Sequence, residues 1–342
     1  MSASSLSSSS SASAQSPTSA RRMLAVSAVT SEAEAFDDAR AKLSPTSSGG
    51  GAAAASGNCS GAGTVLASQL PPELFRYEFV HSGYRDPELH MTWAQCIWSW
   101  MTLHNETVNI HLHLWPGIGC FVVLFTRLHL GIGFDCLTAE GVACTVVSCL
   151  GCAAMLLCSV YAHTGLAMLR ADDAWRVDVF GVVASNAGRV FVDLWVLIGV
   201  VGGSRAGFWA LVVFTAAFGS FTIIKAREMK LHWDRWLGLF GMWCQAPFML
   251  SFLAVAFTRF LRDESATRVA VWLLISSIFG TGGTLVFYLG KIPERYYNPH
   301  GFFDFLGHSH NLFHVCTALS CYAGFMSTPH IAALERLVAA GK

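Results

Sequence analysis

From about residue 105 onward, the sequence alternates long apolar runs with short polar links. A helix needs about 20 apolar residues to cross the hydrocarbon core of a bilayer. We predict seven such spans, near 107–128, 141–164, 177–201, 207–224, 236–257, 269–290 and 309–328. Because backbone polar groups must be hydrogen-bonded internally in lipid, segments of this length form helices rather than strands. The sequence therefore predicts an all-α polytopic membrane protein, with its seven-helix domain at 105–328.

The composition agrees with a membrane protein. Charged residues make up 13% of the 342-residue chain and apolar residues 53%, whereas a soluble domain is about 25% charged. The formal net charge is zero, which argues against the basic surface of a nucleic-acid-binding protein, so we expect no nucleic-acid partner. Eight of the 11 cysteines lie inside apolar runs, where a thiol packs as a small hydrophobic group.

The N-terminal region, 1–75, has a different composition from the rest. Eleven of its first twenty residues are serine, and a Gly-Gly-Gly and poly-Ala stretch follows at 49–55, so this tail has too few apolar residues to form a core. We interpret it as a disordered cytosolic tail that contacts cytosolic partners. An organelle transit peptide is the alternative, because the stretch before Glu32 contains two arginines and no acidic residue. A juxtamembrane segment at 76–104 and a short C-terminal tail at 329–342 complete the predicted organisation.

Lysine and arginine in the short links predict the orientation, because cytoplasmic links carry an excess of them. With the N-terminus in the cytoplasm, the inner links hold eight of these residues and the outer links hold five. The count favours a multi-pass protein with a cytoplasmic N-terminus. Spans of about twenty residues fit several cellular bilayers, so the prediction concerns topology and not one particular membrane.

Ionisable residues inside the spans indicate a functional site, because each costs several kcal/mol to place in lipid. His163 ends the second span, and His310 and His314 begin the last one, so all three fall at the inner end of the bundle. His310 and His314 are four residues apart, so their imidazoles share one helix face and can reach the same ion. We predict that His163, His310 and His314 bind Zn²⁺ and leave a fourth tetrahedral position for water, as in catalytic zinc sites.

Two further residues are predicted to belong to this site. Asp178 begins the third span at the same depth as the histidines and would hold the metal-bound water as its general base. Ser159 lies one turn before His163 and shares its face. His308 lies about 200° around the helix from His310 and is left out of the site. The alternative is that the histidine pair arises by chance and that each histidine only makes hydrogen bonds at the interface.

Two more polar groups are predicted to lie within the bundle. Glu106, Asn109 and His113 share one face of the first span, where we expect interhelical hydrogen bonds beside the site. Arg189 and Asp193 are one turn apart in the third span. We interpret them as a buried ion pair that clasps the helices, with binding of a polar ligand headgroup as the alternative.

Several motifs, in order along the chain, resemble those of the progestin and adipoQ receptor (PAQR) family. The segment Leu103–Ile110 resembles the first-helix signature, and Ser159–Thr164 resembles the second-helix motif. The segments Lys291–Tyr297 and Ser309–His314 resemble the last loop and the seventh helix. The resemblance covers about residues 90–328. Because several motifs occur in the family's order and spacing, the match is far more specific than any one short pattern.

The resemblance implies seven transmembrane helices, a cytoplasmic N-terminus and an intramembrane zinc near the inner leaflet. In the family pattern, His163, His310 and His314 stand at the zinc-ligand positions, Asp178 stands where the metal-bound water is held, and Ser159 lines the site. The family includes receptors for adiponectin-like hormones and for progestins. Its wider superfamily includes alkaline ceramidases.

Three functions stay open at this stage. The first is an adiponectin-receptor-like receptor for a hormone or a lipid-like ligand, which signals through zinc-dependent hydrolysis of a lipid amide such as ceramide. The second is a dedicated membrane hydrolase without a receptor role, and the third is a receptor whose zinc is purely structural. The predicted extracellular links are short, which favours a ligand that enters through the bilayer over a folded protein hormone.

Overall fold

The computed structural model describes residues 63–71, 74, 77–130, 139–168, 171–196 and 263–340, with the single residues 210, 213, 217 and 253. Within these residues the chain is mostly helical. Its helices are α1 (Trp93–Trp98), α2 (Thr107–Leu130), α3 (Ala139–Gly165), α4 (Ala171–Trp195), α5 (Glu264–Leu289) and α6 (Ser309–Ala339). Single 3-10 turns lie at Ala67–Gln69, Pro87–Leu89, Ser99–Met101 and Pro299–Gly301. A short antiparallel ladder pairs β1 (Thr64–Val65) with β2 (Tyr84–Arg85), a small departure from the all-α prediction.

The five long helices overlap five of the predicted spans, although α4 begins six residues before the predicted 177–201. By length and composition, three of their segments can cross a membrane: Thr107–Arg127, Gly141–Gly165 and Glu264–Leu289. The predicted spans 207–224 and 236–257 lie outside the described residues, apart from a few single positions. The helical class is therefore confirmed where the chain is described, and the total of seven spans stays a prediction. The N-terminal tail also lies almost entirely outside the described residues.

Helix α6 is longer than predicted. It continues eleven residues past 328 to Ala339 because its last turns have a core to pack against. Ile331, Ala332 and Leu334 are buried there in one cluster with residues of α4 and α5. Pro329 lies inside the helix and has no N–H to give to the Phe325 carbonyl. The Thr328 hydroxyl donates to that carbonyl at 2.8 Å, so the acceptor is satisfied and the helix continues.

Close contact between α3 and α4 fixes the relative depth of the residues they carry. A Cβ atom at Gly151 would lie 2.6 Å from the Ala184 carbonyl oxygen, and one at Gly188 would lie 2.8 Å from the Val147 carbonyl oxygen. Small residues at such crossings let helix backbones approach closely, which is typical of helix packing in membranes. The two helices run antiparallel, so the last turn of α3 and the first turns of α4 reach the same end of the bundle.

Helix α5 changes its winding as it approaches the same end. It is α-helical over Glu264–Ser277 and continues as π-helix over Ile278–Gly282 and Thr284–Leu289. Between the two π segments, Gly283 packs so tightly against α6 that a Cβ there would lie 2.5 Å from the Cys316 Cβ. π-Helical turns are rare and occur frequently at functional sites. Here the second π segment carries Thr284 and Tyr288, which line a cavity beside the predicted metal ligands.

The juxtamembrane segment packs against this end of the bundle. Tyr77, Val80 and Tyr84 form a small core of their own, and α1 begins with a capping box between Thr92 and Gln95. The Arg85 guanidinium is buried and donates to the carbonyl oxygens of His163 at 2.5 Å and Thr164 at 2.9 Å. These are carbonyls of the last turn of α3, which lack intrahelical partners. Arg85 therefore caps the C-terminal end of α3 beside His163, one of the predicted metal ligands.

Candidate metal centre

The structure brings the three predicted histidines together. His163 extends from the last turn of α3, and His310 and His314 extend from the first turns of α6. All three are buried, and one ring nitrogen from each lies within 4.8 Å of the others. The Nε2 atoms of His310 and His314 are 3.0 Å apart. Three converging imidazoles from two helices suit a tetrahedral metal such as Zn²⁺, which takes histidine nitrogens as ligands.

The hydrogen bonds of His163 leave one of its ring nitrogens available to a metal. Its Nδ1 lies 2.6 Å from the Glu106 Oε2 atom, and because the carboxylate oxygen accepts, Nδ1 carries the proton. A neutral imidazole then has its lone pair on Nε2. Among the residues that the structure describes, the buried Nε2 atom of His163 has no hydrogen-bond partner. A histidine that binds a metal through one ring nitrogen commonly donates the N–H of the other nitrogen to a carboxylate.

Glu106 is itself held by several donors. Besides the His163 ring, its Oε2 atom accepts from the Tyr77 hydroxyl at 3.0 Å and from the Asn109 amide at 2.9 Å. The Asn109 side-chain oxygen in turn accepts from the Asn311 amide of α6 at 2.6 Å. The network therefore joins the juxtamembrane segment, α2, α3 and α6 around His163, and its members are buried.

The third member of the polar face on α2 contacts α6. The His113 ring stacks on the His314 ring, with centroids 3.8 Å apart and planes 6° apart. Its Nε2 atom lies 3.2 Å from the Thr317 hydroxyl. The interhelical hydrogen bonds predicted for Glu106, Asn109 and His113 are therefore confirmed. Sequence reasoning missed that Glu106 bonds a metal-ligand candidate directly, and that Tyr77 takes part.

Asp178 and Ser159 lie beside the histidines. Both line a cavity of about 50 Å³ that His310 and His314 also line, together with Tyr288 of the π segment. On this measure one water needs about 10–15 Å³, so the cavity has room for a metal and a water. The Ser159 hydroxyl is buried without a hydrogen-bond partner among the described residues, and the cavity is the space that it faces. The roles predicted for Asp178 and Ser159 stay predictions.

A second carboxylate fixes the start of α6. Glu294 accepts from the Ser309 backbone N–H at 2.6 Å and also from the Ser309 hydroxyl. A negative charge at a helix N-terminus is stabilised by the unpaired N–H groups there. His310 is the next residue, so Glu294, which is 15 positions from Ser309 in sequence, helps to fix the position of a metal-ligand candidate. The only sequence signal for Glu294 is its place in the Lys291–Tyr297 motif.

Two histidines near the centre have other roles. His308 is buried, and its Nε2 atom lies 3.5 Å from the Asn105 carbonyl oxygen, outside the group of three. His104 accepts from the Glu106 backbone N–H at Nδ1, 3.1 Å away, and its Nε2 atom lies 3.2 Å from the Ser99 carbonyl oxygen. Burial, assisted by the charge of Arg85, lowers the pKa of His104 to about 3. Neutral His104 therefore holds the backbone of Glu106 in place.

The residues matched by a family model include the three histidines and Glu106. The family model described as haemolysin-III related matches residues 101–325. Membrane progestin receptor gamma of Mus musculus is 28% identical over 264 residues, which cover 73% of this chain and 76% of that protein. Its Homo sapiens counterpart is 25% identical over 262 residues, covering 73% and 76%. Heptahelical transmembrane protein 3 of Arabidopsis thaliana is 24% identical over 311 residues, covering 76% and 84%.

Proposed function

Because this chain belongs to the haemolysin-III related family and has membrane progestin receptors among its homologues, we propose that it is a PAQR-type receptor whose three-histidine centre holds Zn²⁺. The observation that carries the proposal is the state of His163. One of its ring nitrogens donates to a buried carboxylate, and the other is buried without a partner among the described residues, beside His310 and His314. A metal ion would take up the lone pair of that second nitrogen.

The residues around the centre support hydrolysis of a lipid amide as the signalling reaction. Zinc held by His163, His310 and His314 would supply a Lewis acid and a water of lowered pKa. Asp178 accepts a proton from the attacking water as its oxygen bonds to the amide carbon. The carbon–nitrogen bond then breaks, and Asp178 returns the proton to the leaving amine. With ceramide as substrate, the products are a fatty acid and a sphingoid base.

Two features argue for a ligand that reaches the protein through the bilayer. The predicted outer links are short, and relatives of this chain are named as receptors for progestins, which are lipid-soluble. A steroid or another lipid-like hormone is therefore the class of ligand that we propose. The excess of lysine and arginine in the inner links supports a cytoplasmic N-terminus, which would present the serine-rich tail to cytosolic partners.

A purely structural zinc is the second candidate. The three histidines join the last turn of α3 to the first turns of α6, so a bound ion would clamp two helices that are distant in sequence. Catalysis needs an open coordination position and a base beside it, whereas a clamp needs neither. Asp178 lines the same 50 Å³ cavity as His310 and His314, and this arrangement favours the hydrolytic function.

Metal content of the purified full-length protein tests the proposal. We expect about one zinc per chain in the wild type by inductively coupled plasma mass spectrometry, and almost none in His310→Ala/His314→Ala. His129→Ala is the matched control because His129 is exposed on α2, and it should keep its zinc. A folded wild type that takes up no zinc would contradict the proposal. If zinc is present, absence of ceramide hydrolysis together with a lower melting temperature after chelation would favour the structural role.

A further inference from the structure

The juxtamembrane segment contains an uncharged run at 91–103. Its thirteen residues include three tryptophans, two methionines, one isoleucine and one leucine, and none of them is acidic or basic. Charged and polar residues flank it, with Glu88 and His90 before it and His104 after it. A helix needs about 20 residues to cross a bilayer, so the uncharged run is too short to be a span. Its composition therefore calls for another explanation.

The uncharged run folds back along the side of the bundle. The Trp93 ring stacks on the Tyr161 ring with centroids 4.9 Å apart, and the Trp100 indole N–H donates to the Thr164 hydroxyl at 2.9 Å. The Trp100 carbonyl oxygen lies 2.9 Å from the His111 Nε2 atom. Tyr161 and Thr164 lie near the end of the part of α3 that can cross a membrane, and His111 lies near the start of the corresponding part of α2. The uncharged run is therefore at the level where these helices leave the hydrocarbon core.

The side of the uncharged run that faces away from the bundle is apolar. Four large side chains within seven residues are exposed, Ile97 by 48%, Trp98 by 75%, Met101 by 81% and Leu103 by 63%, whereas Cys96 is fully buried. A group of exposed apolar side chains with polar residues around it marks a surface that contacts a partner or a membrane.

The neighbouring surface of the helices identifies the bilayer as that partner. Tyr161, on which Trp93 stacks, is 44% exposed on α3, and Trp115, one turn beyond His111 on α2, is 62% exposed. Both belong to segments that can cross a membrane, so their exposed sides face lipid. The apolar side of the uncharged run continues this surface. Tryptophan is enriched where a bilayer meets water, because its ring is apolar and carries one polar N–H.

We propose that the uncharged run is an interfacial anchor that binds the lipid surface of the same bilayer. Helix α1 lies in the plane of the membrane, and Trp98 and Met101 insert into the boundary between headgroups and acyl chains, about 5–10 Å deep. Thr92 and Gln95, which form the capping box of α1 and are exposed, lie among the headgroups. Because the run has no charge, the anchor binds zwitterionic and anionic phospholipids alike. It is independent of the histidine centre and of any bound metal.

Photolabelling in vesicles tests the proposal. Full-length protein is reconstituted in phosphatidylcholine that includes a phosphatidylcholine with a diazirine near the glycerol end of one acyl chain. Mass spectrometry then locates the labelled peptides. We expect label in peptides that cover 93–103, as in those that contain Trp115, and none in peptides around Leu89, which is 54% exposed but follows two acidic residues.

A pair of variants adds a direct comparison. Trp98→Ser/Met101→Ser removes the two most exposed apolar side chains of the anchor, so labelling of 93–103 should fall about fivefold or more. Leu66→Ser/Leu89→Ser is the matched control, because both leucines are about half exposed but lie outside the uncharged run. Its labelling of 93–103 should equal that of the wild type.

A folded wild type without label in 93–103 would overturn the proposal, since water or another part of a protein would then cover this surface. Full labelling of 93–103 in Trp98→Ser/Met101→Ser would equally refute it. Labelling that requires an anionic phospholipid, or that is lost at about 1 M salt, would assign the attachment to charged residues elsewhere and contradict an apolar anchor. If the double variant does not fold, the comparison of 93–103 with the Leu89 peptides of the wild type still decides.

Discussion

Glu106→Gln removes the negative charge behind His163 and leaves the size of the side chain unchanged. In the wild type, one carboxylate oxygen accepts from the His163 ring at 2.6 Å, from the Tyr77 hydroxyl and from the Asn109 amide. An amide oxygen can accept the same bonds, but a hydrogen bond to a neutral acceptor is about half as strong as one to a charged acceptor. The ring of His163 thus becomes less basic and less firmly oriented.

The expected effect on zinc affinity follows from this contact. Losing the carboxylate behind a ligating histidine typically lowers metal affinity about 10–100-fold, which corresponds to about 1.4–2.7 kcal/mol. We expect the loss of zinc affinity in Glu106→Gln to lie within that range. Tyr77→Phe should show a smaller loss, because this substitution removes only one of the donors that hold Glu106. Competition with a fluorescent zinc chelator, on detergent-purified full-length protein, measures the dissociation constant directly.

A control variant separates this effect from a general change of charge. Glu88→Gln makes the same chemical change at an exposed position of the juxtamembrane segment, so its zinc affinity should equal that of the wild type. The reasoning is refuted if Glu106→Gln, folded by size-exclusion chromatography, binds zinc as tightly as Glu88→Gln does. If Glu106→Gln does not fold, Tyr77→Phe takes its place in the test. A zinc affinity of Tyr77→Phe equal to that of the wild type would then refute the reasoning.

Asp178→Asn should keep its zinc and lower any ceramide hydrolysis by about 10²–10⁴-fold, since it removes only the proposed base; loss of zinc in this variant would identify Asp178 as a ligand instead. Gly283→Ala should lower the free energy of unfolding by about 1–3 kcal/mol, because its Cβ would lie 2.5 Å from the Cys316 Cβ. Gly119→Ala, which has open space, is its control in thermal unfolding, and equal melting temperatures would contradict the packing argument. Burial lowers the pKa of His104 to about 3, so the folded state resists its protonation. Stability should therefore fall as the pH drops from 6.5 toward 3, by about 2 kcal/mol at pH 5 for this residue. His104→Gln should remove that part of the pH dependence, and an unchanged slope in unfolding measurements would show that His104 is not its source.

The depth of the histidine centre could be predicted from the sequence. Once the apolar runs are assigned as spans of a bundle, the direction of each span fixes which of its ends meets which membrane face. His163 at the end of one span and His310 and His314 at the start of another then fall at one level, and the structure brings them together. The four-residue spacing of the last two adds a shared helix face, because helical periodicity is local information.

The partners of those residues could not be predicted in the same way. Tyr77 contacts Glu106 from 29 positions away, Glu294 contacts Ser309 from 15 positions away, and the Arg189 guanidinium reaches Ser320 across 131 positions. The sequence interpretation paired Arg189 with Asp193 because they are one turn apart. The guanidinium also donates to the Ser320 hydroxyl and the Cys321 sulfur of α6, and the spacing along α4 gives no sign of these contacts.

The sequence by itself thus determined the class of protein, the approximate positions of five helices and the level at which the ionisable residues lie. Tertiary structure decided how each helix is rotated about its axis, and with it which carboxylate meets His163. The physical reason is the solvent. A helix in lipid is apolar on nearly every side, so hydropathy defines its length but gives little information on its rotation. That rotation is set by close packing at small residues and by hydrogen bonds between helices, which form only when the bundle assembles.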